Sequence, residues 1–261
     1  MSGLPAGKGT ALITGASRGI GKGMALALAG ADFDIAVNDL EDGDGLRATV
    51  GELQNLGVKA MAIIGDVSDL GQHEAMLDEA EDALGALTTL VNNAGVSVLA
   101  RGDLLDVTPE SYDRCQSVNN RGAFFLTQAF ARRLVARERD PEVHHSIINI
   151  TSCNVQAVSV TRGEYCVSKA GMSMMSKLFA VRLGELDIGA YEIQPGLIDT
   201  EMTAPVRGKY EQRIKEGLTV TQRMGLPSDI GSIARAMATG QLAFCTGQAV
   251  QADGGLVIPR F

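Results

Sequence analysis

The chain has 261 residues, 45% hydrophobic and 21% charged, which suits a single α/β domain with a full core and excludes a disordered chain. Its net charge of −8 argues against general binding to nucleic acid or to an anionic membrane face, both of which need a basic surface. Glycine stands out, at 31 residues against 7 prolines, so it marks tight turns and close backbone approaches rather than a low-complexity tract.

Short apolar runs alternate along the chain with longer segments of helical period. Residues 11–14 read as a strand, 21–29 as a helix and 34–38 as a strand, with a charged helix after it. A strand at 60–65, a helix at 73–84 and a strand at 88–93 follow. Residues 111–137 read as one long helix, 146–152 as a buried strand and 164–186 as a helix. The strand 190–194, a helix near 228–238 and a strand at 248–252 complete the order. Such alternation predicts βαβ units, hence one α/β domain over 1–261: a doubly wound parallel sheet of seven strands with helices on both faces.

Four cysteines, Cys115, Cys153, Cys166 and Cys245, lack CxxC spacing and read as reduced thiols. With His73, His144 and His145 they form no metal-ligand pattern, so no metal is expected. The N-terminus lacks the apolar stretch of a secretory leader, and no apolar run approaches the ~18 residues of a membrane span. The expectation is a soluble cytoplasmic protein with no membrane and no nucleic-acid partner.

Ligands of open α/β sheets bind beyond the carboxyl ends of the strands. The residues that follow the strands here are Gly15, Asp39, Asp66, Asn93, Ser152 and Pro195, all polar or turn-forming. One crevice is implied. The turn Thr14-Gly15-Ala16-Ser17-Arg18-Gly19-Ile20-Gly21 joins the first strand to the first helix. Glycines at 15, 19 and 21 permit a tight turn and let backbone N–H groups reach a pyrophosphate at the helix N-terminus. The spacing is G-x-x-x-G-x-G, so a plain structural turn remains the alternative reading. Asp39 ends the second strand 18 residues after Gly21, where an acid can bind an adenosine ribose hydroxyl and repel a 2′-phosphate. Arg18 pulls the other way, because a guanidinium there can pair with that phosphate. The carboxylate weighs more, and NAD is favoured over NADP.

Tyr165 and Lys169 stand at i and i+4, on one helical face. An ammonium near a phenol favours the phenolate and makes proton exchange feasible. Ser152, 13 residues before Tyr165, can bond a substrate oxygen. With these residues in place, the chain resembles the short-chain dehydrogenase/reductase family of about 250 residues. TGASRGIG (14–21), NNAG (92–95), Ser152, YCVSK (165–169), PGLIDT (195–200) and TGQAVQADGG (246–255) match the family in order and spacing.

The resemblance implies a Rossmann-type fold and hydride transfer between a nicotinamide cofactor, NAD or NADP, and a small carbonyl or alcohol substrate. Tyr165 becomes the general acid/base, and Lys169 the residue that binds the nicotinamide ribose and lowers the tyrosine pKa. Ser152 positions the substrate oxygen. Asn119, on the fourth helix, supports a proton relay, while its neighbour Asn120 reads as packing or capping. For the cofactor it assigns Gly15, Ser17, Arg18, Gly19, Ile20 and Gly21 to the glycine turn, and Asp66 and Val67 to the adenine ring. Asn93, Ala94 and Gly95 fall by the adenosine ribose, and Pro195, Gly196, Ile198 and Thr200 on the nicotinamide side. It further implies a homotetramer. Two positions depart from the family pattern: Thr88 where an aspartate is usual, and Tyr191 where an asparagine is usual.

The substrate is less constrained. Bacterial 3-oxoacyl-carrier-protein reductases are similar throughout, which implies a 3-oxoacyl thioester, whereas Asp39 and NAD suit a sugar or polyol dehydrogenase. A non-catalytic dinucleotide sensor is the remote alternative. Residues 203–217 carry Arg207, Lys209, Arg213 and Lys215 and read as a lid or as a solvated helix with Ile214 and Leu218 inward. The run Arg132, Arg133, Arg137, Arg139 reads either as a docking face for an acidic carrier protein or as a solvated helix end. The loop 153–164, with Asn154, Gln156, Ser159, Thr161 and Arg162, suits a hydroxylated substrate, and Cys153 reads as a small packing residue.

Overall fold

The computed structural model describes residues 8–260, so the N-terminal segment read above for a leader lies outside the described residues up to position 7. Seven strands form one sheet: β1 (Thr10–Ile13), β2 (Asp34–Asp39), β3 (Ala60–Ile64), β4 (Thr89–Asn92), β5 (His145–Ile150), β6 (Ile188–Pro195) and β7 (Ala249–Ala252). Their order is β3-β2-β1-β4-β5-β6-β7 and every pairing is parallel. The order reverses between β1 and β4, which places the ligand crevice of such sheets at their carboxyl ends.

A parallel sheet is covered on both faces, so its central strands can be apolar at every position. β1 shows how the alternation divides them. Ala11 and Ile13 join a core with α1 (Gly19–Ala29), α2 (Asp44–Asn55) and α8 (Pro227–Ala238), through Met24, Leu28, Leu46, Leu53, Ile230 and Met237. Leu12 points the other way, into a core with α3 (His73–Leu84), α5 (Ala123–Ala136) and α6 (Gly163–Leu183), through Leu77, Leu126, Phe130 and Leu183. Each fully buried Leu or Phe contributes on the order of 1.5–3 kcal/mol, so the two cores carry the fold.

The long helix expected over 111–137 is divided. α4 (Pro109–Gln116) starts two residues earlier, because Thr108 caps it by accepting from the Ser111 N–H at 3.3 Å and Pro109 takes the first turn. A π-helical turn, Ser117–Gly122, then separates α4 from α5. Residues 203–217 hold a short 3-10 turn and α7 (Arg207–Lys215), with Ile214 buried and Lys209, Arg213 and Lys215 in solvent. That is the solvated helix with an inward isoleucine. Arg207 pairs with Asp199, which ties α7 to the segment after β6.

Both departures from the family pattern are structural. The Thr88 hydroxyl accepts from the Thr10 N–H at 3.0 Å and donates to the Thr10 carbonyl at 3.1 Å, stitching β4 to β1. Tyr191 is fully buried and its hydroxyl bonds His144 Nε2 at 3.0 Å, away from the carboxyl ends of the strands.

Candidate active site

The glycine turn closes on β4. Gly15 has φ +61°, and a side chain there would meet the Ala94 Cα at 2.8 Å, so glycine alone permits this approach. Asn93 Nδ2 donates to the carbonyls of Thr14 (2.9 Å) and Gly15 (2.8 Å), while the Thr14 hydroxyl accepts from the N–H groups of Asn93 and Ala94, both at 3.0 Å. The Asn93 side chain thus holds the turn against the end of β4. Thr200 lies over Gly19, its methyl 3.5 Å from where a Cβ would be. The turn and the PGLIDT segment therefore face one another across the mouth of α1, whose first N–H groups have no partners within the helix. A helix mouth of this kind is able to receive a pyrophosphate.

At its side, the Ser17 hydroxyl donates to Asp39 Oδ2 and the Leu40 N–H to Oδ1 at 2.7 Å. Arg18 turns away and pairs with Glu201 at 3.0 Å, both exposed. Asp66 Oδ1 accepts from the Ser68 N–H at 2.8 Å, and the neighbouring Val67 is buried, with its carbonyl bonded to His73 Nε2 at 2.8 Å. Pro195 ends β6, and Ile198 bridges to Gly225. Gly196 packs on the closing motif, since a Cβ there would meet the Asp253 Cα at 2.6 Å. Glycine there lets β6 and the closing motif approach.

The four residues expected to do chemistry converge. A Cβ on Gly95 would stand 3.2 Å from Asn119 Oδ1 and 3.4 Å from Lys169 Nζ, so the NNAG turn, the π-helical turn and α6 meet at one point. Asn119 lies in the π-helical turn rather than in a regular helix. Its Oδ1 accepts from the Val96 N–H at 2.7 Å, and its Nδ2 donates to the Val96 carbonyl (2.9 Å) and Ser168 Oγ (3.0 Å). The side chain is a strap. Asn120 packs against Gly171 of α6 and bonds Gln116 at 3.3 Å, the packing role expected of it.

Lys169 is buried, donates to the Ile150 carbonyl at 2.8 Å and lies 5.9 Å from the Tyr165 ring centroid. Burial brings its pKa down to about 8. Burial also pushes the Tyr165 phenol up, opposed by the Ser152 hydroxyl and the Arg162 guanidinium. Desolvation dominates both groups. Cys153 behaves as a packing residue, its thiol pushed up by burial.

One cluster escaped the sequence reading. Glu192, 1% exposed on β6, accepts from Thr151 Oγ1 (2.6 Å), Gln194 Nε2 (2.8 Å) and Ser173 Oγ (2.8 Å). Gln156 Nε2 extends the network to Gln194 Oε1 at 3.1 Å. These partners sit beside Ser152, one turn beyond Lys169 and beside Pro195. A carboxylate in a strand buried on both faces was the available signal.

Residues 15–257 match the model of a family described as enoyl-(acyl carrier protein) reductase. An L-rhamnose 1-dehydrogenase (NAD(P)(+)) from Sphingomonas is 30% identical over 95% of this chain and 96% of its own. A 3-oxoacyl-[acyl-carrier protein] reductase from Brucella melitensis, solved with NAD, superposes with a TM-score of 0.94 at 40% identity, covering 98% and 99% of the two chains. A chain from Agrobacterium tumefaciens described as a 2-deoxy-D-gluconate 3-dehydrogenase, with NADP bound, gives 0.85 at 28% identity over 96% and 97%. The chain belongs to the short-chain dehydrogenase/reductase family and is an NAD(P)-dependent oxidoreductase acting on alcohol and ketone groups. No helix among the described residues is long and apolar enough to cross a membrane.

Proposed function

We propose that the chain interconverts a secondary alcohol and a ketone on a small polar substrate, with NAD as its preferred cofactor. The observation that carries the cofactor reading is the Asp39 carboxylate, fixed by Ser17 beside the glycine turn while Arg18 is drawn to Glu201. A carboxylate there accepts from a ribose hydroxyl and repels a phosphate. Fluorescence titration with NADH and NADPH tests it: tighter binding of NADH is expected, and equal affinity sinks the argument.

The nicotinamide, when bound, supplies and accepts the hydride. Tyr165 gives its phenol proton to the carbonyl oxygen during reduction and takes it back during oxidation. Ser152 donates to the same oxygen and orients it. Lys169 presents a positive charge 5.9 Å from the centre of that phenol ring, and Asn119 straps the Gly95–Val96 backbone against α6. The loop that follows Ser152 is polar, with Gln156 exposed and Arg162 half-buried, which supports a hydroxylated substrate over an apolar one.

A second reading, reduction of a 3-oxoacyl thioester, is favoured by the Brucella relative. The carrier-docking face it would use has less support, because Arg133 and Arg137 are engaged by Glu74, Asp78 and Glu81 of α3. The described residues all build onto one sheet, in keeping with a single domain over 1–261. Val167, Met174, Leu178 and Val181 form an exposed apolar stripe on α6, which supports a homotetramer packed through that helix, and the cytoplasm is the compartment we assign.

A further inference from the structure

Arg162 is the sole charged residue of the loop 153–162. It ends the short turn Val160–Arg162 ahead of α6. Its Nη2 donates to Asn154 Oδ1 at 2.6 Å, the oxygen that also accepts from Ser152 Oγ at 3.5 Å. Its Cζ lies 5.3 Å from the Tyr165 ring centroid. The guanidinium therefore adjoins both groups that address the substrate oxygen: Tyr165 directly, and Ser152 through Asn154.

Its remaining needs are unmet. Nε is buried and has no acceptor, and no carboxylate among the described residues lies within ion-pair distance of Arg162. Elsewhere this fold pairs its half-buried guanidinium groups. Arg133 meets Glu74, Asp78 and Glu81, and Arg137 meets Glu81. A planar fork of N–H donors left without an acid matches the two oxygens of a carboxylate.

We infer that Arg162 receives a carboxylate of the substrate, which is then a short keto or hydroxy acid with its carboxylate next to, or one carbon removed from, the reacting carbon. The inference rests on the placement of the reacting oxygen at Ser152 and Tyr165 given above. It separates the two substrate readings, because a 3-oxoacyl thioester carries no anion beside its carbonyl.

The test is the ratio of kcat/KM for short 2-oxo and 3-oxo acids to that for their methyl esters, with NADH. The native enzyme should prefer the acids. Arg162→Gln lowers both rates, since the charge also assists Tyr165, but should lower the acid-to-ester ratio roughly 10- to 100-fold. Arg162→Lys, which keeps the charge without the fork, should restore part of the ratio, and unchanged NADH binding confirms that each variant is folded. A native ratio near one, or a ratio that Arg162→Gln leaves unchanged, overturns the carboxylate assignment. Reduction of neutral ketones with no turnover of any acid overturns it too, while leaving the proposed function standing. Turnover of no ketone with either cofactor overturns the proposed function itself.

Discussion

The Lys169 ammonium donates to the main-chain carbonyl of Ile150 at 2.8 Å, two residues before Ser152, so one hydrogen bond ties α6 to the end of β5. Burial holds Lys169 near pKa 8 and keeps the Tyr165 phenol protonated. Below about pH 8 the enzyme carries an ammonium and a neutral phenol, the pair that the proposed reduction requires. As pH rises through 8 the lysine loses its proton and the phenol loses its positive neighbour. The expected profile of kcat/KM for ketone reduction is flat below about pH 8 and falls above it. Arg cannot be discharged in this range, so Lys169→Arg should remove that limb. A limb persisting near pH 8 in the variant assigns it to another group. Tyr165→Phe should lower kcat about 10²–10⁴-fold with NADH affinity intact.

Much of this site is local in the sequence. The glycine turn, the Tyr–Lys pair and the residues after each strand follow from spacing and strand periodicity, and helix 73–84 is found at the positions its pattern predicts. The π-helical turn was hidden, because one extra residue per turn leaves no mark on residue type. The start of α4 was read two residues late, at 111, although Thr108 followed by Pro109 is a helix-start signal. Contacts that depend on the assembled fold were out of reach. Arg18 and Glu201 are 183 residues apart, and Glu192 meets Thr151 across 41. Glycines not singled out in the sequence also serve packing. Gly23 and Gly231 let α1 and α8 touch backbone to backbone, since a Cβ at Gly231 would collide with the Gly23 carbonyl.

Glu192 links the ends of β5 and β6 to α6 through a single buried carboxylate. Its negative charge favours the protonated form of Lys169. Glu192→Gln keeps the shape and removes the charge, so the limb near pH 8 should move to lower pH. Stability should also drop by about 1–3 kcal/mol, because a hydroxyl that donated to the carboxylate is left with a weaker acceptor or none. The pH profile is the deciding measurement. A destabilised variant whose limb does not move limits Glu192 to a structural part.

Gly95 separates packing from conformation. A methyl group there stands 3.2 Å from Asn119 Oδ1 and 3.4 Å from Lys169 Nζ, tight enough to shift both by a few tenths of an ångström. Gly95→Ala should therefore fold, with kcat/KM down by as much as ~100-fold, the scale expected for misplaced reacting groups. Gly15→Ala differs, because it meets the Ala94 Cα at 2.8 Å from a backbone at φ +61°. There the cost should exceed about 1 kcal/mol of stability and remove dinucleotide binding. Thermal melts and NADH titration distinguish the two, and a Gly15→Ala enzyme that binds NADH normally contradicts a pyrophosphate site at the turn.

His145 begins β5 and is buried, and burial, with Arg139 and Arg137 nearby, pushes its pKa down to about 4. In the unfolded chain an imidazole titrates near 6.5. Between those values the unfolded state binds a proton that the folded state refuses, so stability falls as pH drops from about 6.5 to about 4 and loses nothing further below. The loss from this residue is up to about 3 kcal/mol, at about 1.4 kcal/mol per pH unit. His144 is also held below its usual value by burial while bonded to Tyr191, and it adds to the same slope. Urea midpoints measured from pH 7 to pH 4 should therefore fall less steeply for His145→Gln than for the native chain, with a remaining slope from His144 and the carboxylates. Parallel curves would remove His145 from the acid transition and leave that transition to groups elsewhere in the fold.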